Sequence, residues 1–154
     1  MFDEFKELLS AFNARNVRYL VVGGYAVSLY AQPRSTQDID ILIAADVENA
    51  AAIFAALQDF GAPLEGLTPN DFAQPGKFFR MGRAPLAVDI LLDIDGIRFE
   101  QAWANRVEAE IDPSAALKGF FISREDLIAN KIASGRPQDI ADVAALRKAK
   151  GSGG

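Results

Sequence analysis

Residues 38–43 read Asp-Ile-Asp-Ile-Leu-Ile, and this short run narrows the choice of fold more than any other part of the chain. Alternation with a period of two marks a β-strand, in which residues i and i+2 point to the same side. Asp38 and Asp40 therefore share one face, while Ile39 and Ile41 face a core. Two ionised carboxylates side by side repel each other, and a bound cation is the usual remedy. The run thus requires a sheet, apolar packing behind it, and positive charge in front of the acids.

The flanking sequence supplies the rest of such a sheet. Phe5, Leu8, Leu9 and Phe12 recur at helical spacing and predict an amphipathic helix over residues 3–14. Residues 17–22 form a β-branched run that stops at Gly23-Gly24, a buried strand followed by a short helix over 25–31 that ends before Pro33. An alanine-rich helix is predicted over 46–60, closed by Gly61. The Pro, Gly and Asn content of residues 62–76 implies a loop. Strands follow at 77–81 and 86–94, then a short helix at 99–105 and a strand at 107–111. Ser123 caps a helix, with Asp126 three residues on in a capping-box arrangement, and a last helix runs from Pro137 to about residue 149. The expectation is an α+β fold, an α/β sandwich in which a mixed β-sheet carries flanking helices and a C-terminal helical pair. One domain is expected over residues 1–150, with 151–154 as a flexible tail.

Composition removes several chemistries. The chain has 154 residues with no histidine and no cysteine, so Ser-His-Asp hydrolysis, His-ligated zinc and thiolate metal sites are all closed to it. A metal would sit among oxygen ligands, which favours magnesium or manganese. The net charge of −5 argues against broad, non-specific nucleic-acid binding. The N-terminus is acidic where a signal peptide is basic, and the apolar runs are too short to span a bilayer, so a cytoplasmic protein with no membrane partner is expected.

Two more features join the paired acids. Val22-Gly23-Gly24 ends a strand where a helix begins, and glycine amides at a helix N-terminus suit a polyphosphate. Asp89 is a lone carboxylate inside the aliphatic run Leu86-Ala87-Val88-Asp89-Ile90-Leu91; a charge there needs a partner, and a metal supplies one. No basic residue stands at strand spacing from the acids to neutralise them. Asp93 shares strand phase with Asp89 but lies close to Gly96, as does Asp95, and both read as turn or solvent-facing acids.

The combination resembles the polymerase-β-like nucleotidyltransferase superfamily, whose signature is a hydrophobic strand, Gly-Gly or Gly-Ser, roughly a dozen residues, Asp-x-Asp, and a later acid on a neighbouring strand. Gly-Gly-x-Ala from Gly23, and Arg-x-Thr-x-Asp-Ile-Asp from Arg34, look like the branch containing the AbiEii-type toxins and their small stand-alone relatives. Ser123, Asp126, Leu127, Lys131, Arg136, Asp139 and Asp142 resemble that branch's closing helices. Residues 60–81 are not covered, and Tyr30-Ala31 stand where relatives often carry His-Gly.

The resemblance implies a Mg²⁺- or Mn²⁺-dependent enzyme that moves a nucleoside monophosphate from an NTP to an acceptor hydroxyl. Asp38, Asp40 and Asp89 would be its catalytic and metal-binding acids, and Gly23, Gly24, Arg34, Thr36 and Lys131 its nucleotide-binding residues. The implied acceptor is an RNA 3′ end, such as that of tRNA, or a protein side chain, with a small molecule as a third possibility. The toxin-like branch also implies an antitoxin partner. Several residues keep two readings: Arg34 as a phosphate ligand or a partner of the acids, Thr36 as a ligand or a turn residue, and Lys131 as a nucleotide contact or a solvated helix residue. Lys77, Arg80 and Arg83, around Phe78 and Phe79, read as an acceptor-binding patch or as a solvated strand face. The competing function is a non-catalytic nucleotide-binding or antitoxin module on the same fold.

Overall fold

The computed structural model describes residues 1–33 and 35–153. Six α-helices and six strands follow one another along the described residues: α1 (Asp3–Ala14), β1 (Tyr19–Val22), α2 (Gly23–Tyr30), β2 (Asp38–Ile43), α3 (Val47–Phe60), β3 (Phe78–Met81), β4 (Ala87–Leu91), α4 (Phe99–Ala104), β5 (Val107–Asp112), β6 (Leu117–Phe121), α5 (Arg124–Ser134) and α6 (Pro137–Gly153). The strands form one mixed sheet in the order β3-β4-β2-β1-β6-β5. The β2–β4 and β1–β6 pairs are parallel, and the other three are antiparallel. This is the α+β arrangement with flanking helices that the patterning implies.

The core forms where the apolar stripes meet the sheet. Phe5, Leu8, Leu9 and Phe12 of α1 are fully buried, as are Leu20 and Val21 of β1 and Ile39, Ile41 and Ile43 of β2. α3 is bounded as expected. The Asp46 carboxylate accepts from the Asn49 amide at 2.7 Å, satisfying a free helix donor, and Gly61 closes the other end at a left-handed φ of 89°.

Four expectations change. α2 starts at Gly23 itself, so the glycine pair forms the first helical turn. Residues 62–76 contain a 3-10 helix, Pro69–Ala73, capped reciprocally by Thr68 and Asp71; it buries Phe72, whose ring lies 4.5 Å from that of Phe79. β6 has no counterpart in the sequence reading, because Lys118 and Gly119 interrupt its apolar pattern. Gly119 packs closely against Ile111, whose Cδ1 would have to shift from a Cβ placed 2.5 Å away. At α5, the Ser123 hydroxyl accepts from the Asp126 amide at 3.1 Å, but the Asp126 carboxylate accepts from Asn105 Nδ2, so the capping box is half formed. Among the described residues, no helix is long and apolar enough to cross a membrane.

Candidate active site

Sheet register brings the acids together. β4 runs parallel to β2 with Asp89 opposite Asp40 and Ala87 opposite Asp38, while antiparallel β1 sets Val22 opposite Asp40 from the other side. Asp40 is therefore flanked by the second acid-bearing strand and by the strand that leads into the glycine pair. Burial pushes the Asp40 carboxyl up to about 6; the charge of Asp89, a hydrogen bond to Asp89 and the charge of Asp38 push the same way, and Lys131 opposes them.

A basic residue does stand at the acids, contrary to the reading of the strand sequence. β3 runs antiparallel to β4 with Arg80 directly opposite Asp89. Its guanidinium Nη1 donates to both Asp89 oxygens at 3.2 and 2.9 Å, and Nη2 reaches Asp38 Oδ1 at 3.5 Å. Cross-strand neighbours on one face are natural partners, but which strands become neighbours is not written locally in the chain. Of the residues expected to form an acceptor patch, Arg80 thus turns to the acids. Lys77 pairs with Asp71 at 3.2 Å, and Arg83 lines a different cleft with Glu4 and Glu7.

A cleft of about 690 Å³ opens beside Asp40, lined by Gly23, Gly24, Thr36 and Lys131. Gly23 takes φ +65°, and a Cβ there would lie 2.2 Å from Asp40 Oδ2, so only glycine lets the helix start this close to the acid. Gly24 is less constrained, its nearest neighbour being Thr36 Cγ2 at 3.6 Å from an added Cβ. The Thr36 hydroxyl donates to the Asp38 carbonyl at 3.1 Å and accepts from the Asp38 amide at 3.3 Å, which fixes the entry to β2. Arg34 lies outside the described residues. Asp93 and Asp95 line the same cleft, and Asp95 accepts from the Ser134 hydroxyl at 3.3 Å.

The far wall comes from the C-terminal helices. Lys131 of α5 is buried and contacts Asp139 Oδ1 at 3.3 Å and Asp142 Oδ2 at 3.0 Å, both carboxylates of α6 being buried as well. Lys131 is therefore not a solvated helix residue. Arg136 Nε donates to Asp139 Oδ2 at 2.7 Å, and this hydrogen bond leads the causes that hold the Asp139 carboxyl down at about 2. Gln138 Nε2 donates to Asp142 Oδ1 at 2.9 Å. Gln138 and Asp142 line the cleft too, a role the sequence reading did not give them. Their i, i+4 spacing was legible, but the docking of α6 against the acids was not.

Among the described residues, no three His, Cys, Asp or Glu side chains stand together closely enough to hold a metal ion. The donor chemistry nevertheless suits a hard divalent cation. Asp38, Asp40 and Asp89 offer carboxylate oxygens on neighbouring strands, and two of them already share one cation, the Arg80 guanidinium.

Residues 1–148 match the model of a family described as nucleotidyltransferase of unknown function (DUF6036). Among solved structures, the chain is similar to the lincosamide antibiotic adenylyltransferase LnuA, determined with lincomycin bound: TM-score 0.59, 19% identity, with 96% of each chain covered. It is also similar to the antibiotic-resistance factor ANT(2'')-Ia in solution, with a TM-score of 0.60, 18% identity, and 99% of this chain and 83% of that chain covered. The crystal structure of ANT(2'')-Ia with adenylyl-2''-tobramycin gives a TM-score of 0.60 at 19% identity, covering 97% and 87%. Identities this low carry the fold and not the substrate. No curated protein matches the sequence significantly.

Proposed function

Because the chain belongs to the DUF6036 nucleotidyltransferase family, we propose that it moves a nucleoside monophosphate from an NTP to an acceptor hydroxyl. The observation that carries this reading is the direct register of Asp40 with Asp89, beside a Gly23 whose Cβ would strike the Asp40 carboxylate. Asp38, Asp40 and Asp89 would hold Mg²⁺ or Mn²⁺, which when bound neutralises the triphosphate and acidifies the attacking hydroxyl.

The chain's own residues do the rest. The amides of Gly23 and Gly24, in the first turn of α2, face a cleft large enough for a nucleotide and receive its phosphates. Lys131, fixed between Asp139 and Asp142, offers positive charge from the opposite wall. Thr36 holds the backbone of Asp38 and so orients that acid. The acceptor oxygen attacks the α-phosphorus as the bond to the bridging oxygen breaks. Pyrophosphate leaves with that bond's electron pair, and the hydroxyl proton passes to Asp89.

In the toxin reading the acceptor is a macromolecule, an RNA 3′ end or a protein side chain, and an antitoxin restrains the enzyme. The pairing of Lys77 with Asp71 and of Arg80 with Asp89 favours a second reading, a protein or small hydroxylated acceptor over RNA, because both cations are already matched by carboxylates. The test is incubation with Mg²⁺ and each labelled NTP, alone and with tRNA, cell protein or hydroxylated small molecules. Pyrophosphate release with label on one acceptor class supports the enzyme and identifies the acceptor. NTP binding with no turnover on any of them would favour the non-catalytic module.

A further inference from the structure

Of the cations paired with carboxylates in and beside this cleft, Lys131 and Arg80 are held in opposite ways. Lys131 is buried between two buried carboxylates on α6, and moving it would break both ion pairs in the interior. Arg80 sits on β3, the edge strand of the sheet, with its side chain 56% exposed. Its described partners are Asp89 and Asp38 alone, both of which the proposed function assigns to a divalent cation. The sheet hydrogen bonds of β3 are made by its backbone, so the guanidinium can swing out without disturbing them. The adjoining same-face residue, Phe78, is 66% exposed and does not close over it.

We propose that Arg80 is an exchangeable counterion of the catalytic acids: its guanidinium neutralises Asp89 and Asp38 until a divalent cation displaces it, and so sets the affinity for that metal. The inference rests on the proposed metal-binding role of the three acids. Geometry is its basis. Nη1 alone donates to both oxygens of Asp89 while Nη2 leans to Asp38. The guanidinium therefore occupies the lone pairs that a metal would need, and leaves Asp40 outside its reach. Competition of this kind weakens metal binding by the factor by which Arg80 occupies the acids. An exposed, partly screened ion pair makes that factor modest, on the order of three- to tenfold.

The test measures Mn²⁺ binding without nucleotide, by calorimetry and by the electron paramagnetic resonance signal of the free ion. The proteins compared are wild type, Arg80→Gln, Arg80→Lys and Asp40→Asn. Arg80→Gln should bind Mn²⁺ about three- to tenfold more tightly than wild type. Arg80→Lys should fall between them, because an ammonium can sit on Asp89 but has no second nitrogen to reach Asp38. In wild type, Mg²⁺ should also shift the Arg80 side-chain Nε–H resonance towards that of a free guanidinium. Arg80→Gln affinity equal to or weaker than wild type, with binding lost in Asp40→Asn, would overturn the role of Arg80 and leave the metal site standing. Equal Mn²⁺ affinity in wild type and Asp40→Asn would overturn the metal assignment and this inference with it. Far-ultraviolet circular dichroism of each variant guards against misfolding, which an exposed edge position makes a minor risk.

Discussion

Replacing Asp40 by Asn exchanges a partly buried carboxyl for an isosteric amide that can still hydrogen-bond to Asp89. In the folded chain the Asp40 carboxyl is raised from 3.8 to about 6, first by burial and then by Asp89 and Asp38. Below pH 3.8 both folded and unfolded chains hold the proton. Between 3.8 and about 6 the unfolded chain releases it first, so stability falls as pH rises; above 6 the loss is complete. A gap of about two on the pH scale, at roughly 1.36 kcal/mol each, sets a ceiling of about 3 kcal/mol. The cleft is open to solvent and the acids titrate together, so ~1–3 kcal/mol is the working range. With a chelator present, Asp40→Asn should therefore be more stable than wild type by that amount at pH 8, or about 2–12 °C in Tm for a chain of this size. The gain should shrink at pH 4.5 and vanish near pH 3.8. Urea unfolding of both proteins at pH 4, 6 and 8 measures it. A variant no more stable than wild type at pH 8, or a gain that ignores pH, refutes the electrostatic reasoning. Mn²⁺ at 100 times its Kd should then stabilise wild type by about 2.7 kcal/mol and leave the variant unmoved.

Gly23→Ala should destabilise the fold by at least ~1–2 kcal/mol, because its φ of +65° is left-handed and its Cβ would strike Asp40 Oδ2, whereas Gly24→Ala should be neutral in thermal unfolding. NTP affinity of the folded Gly24→Ala protein then tells whether that position serves the phosphates or only the turn. Asp139→Asn should cost about 3–5 kcal/mol at pH 7, since it removes the charge paired with buried Lys131 and puts an amide donor where one carboxylate oxygen accepts. With its folded carboxyl near 2, Asp139 stabilises above about pH 4 and loses that effect as pH falls through 2, so the difference from wild type should narrow over that interval in urea titrations. Asp40→Asn should abolish pyrophosphate release rather than raise KM, because the acid acts on the transition state; an unchanged kcat would remove it from the chemistry. Ser123→Ala should cost about 1 kcal/mol in Tm-derived stability through the lost cap on the Asp126 amide.

What the chain's own order determined is everything that depends on a short period or a terminal signal. Alternation from Asp38 to Ile43 specified a strand and the face its acids share, because neighbouring side chains in an extended backbone cannot do otherwise. Asp46 and Gly61 bounded α3 for the same local reason. The glycine pair and the acids were legible as parts of one site through the resemblance they carry, but the distance that makes Gly23 indispensable came only from setting Val22 opposite Asp40. Tertiary structure alone decided the charge balance. Arg80 is nine residues from Asp89 and forty-two from Asp38, and it meets them because β3 folds back along β4 at the edge of the sheet. β6 was hidden because Gly119, seated against Ile111 and Tyr19, is not a usual strand residue. Lys131 kept two readings in the sequence, nucleotide contact or solvated helix residue, and only the docking of α6 with Asp139 and Asp142 removed the solvated one. Periodicity acts between neighbours along the chain, whereas neutralising a buried charge acts between whichever groups the fold brings within a few ångströms.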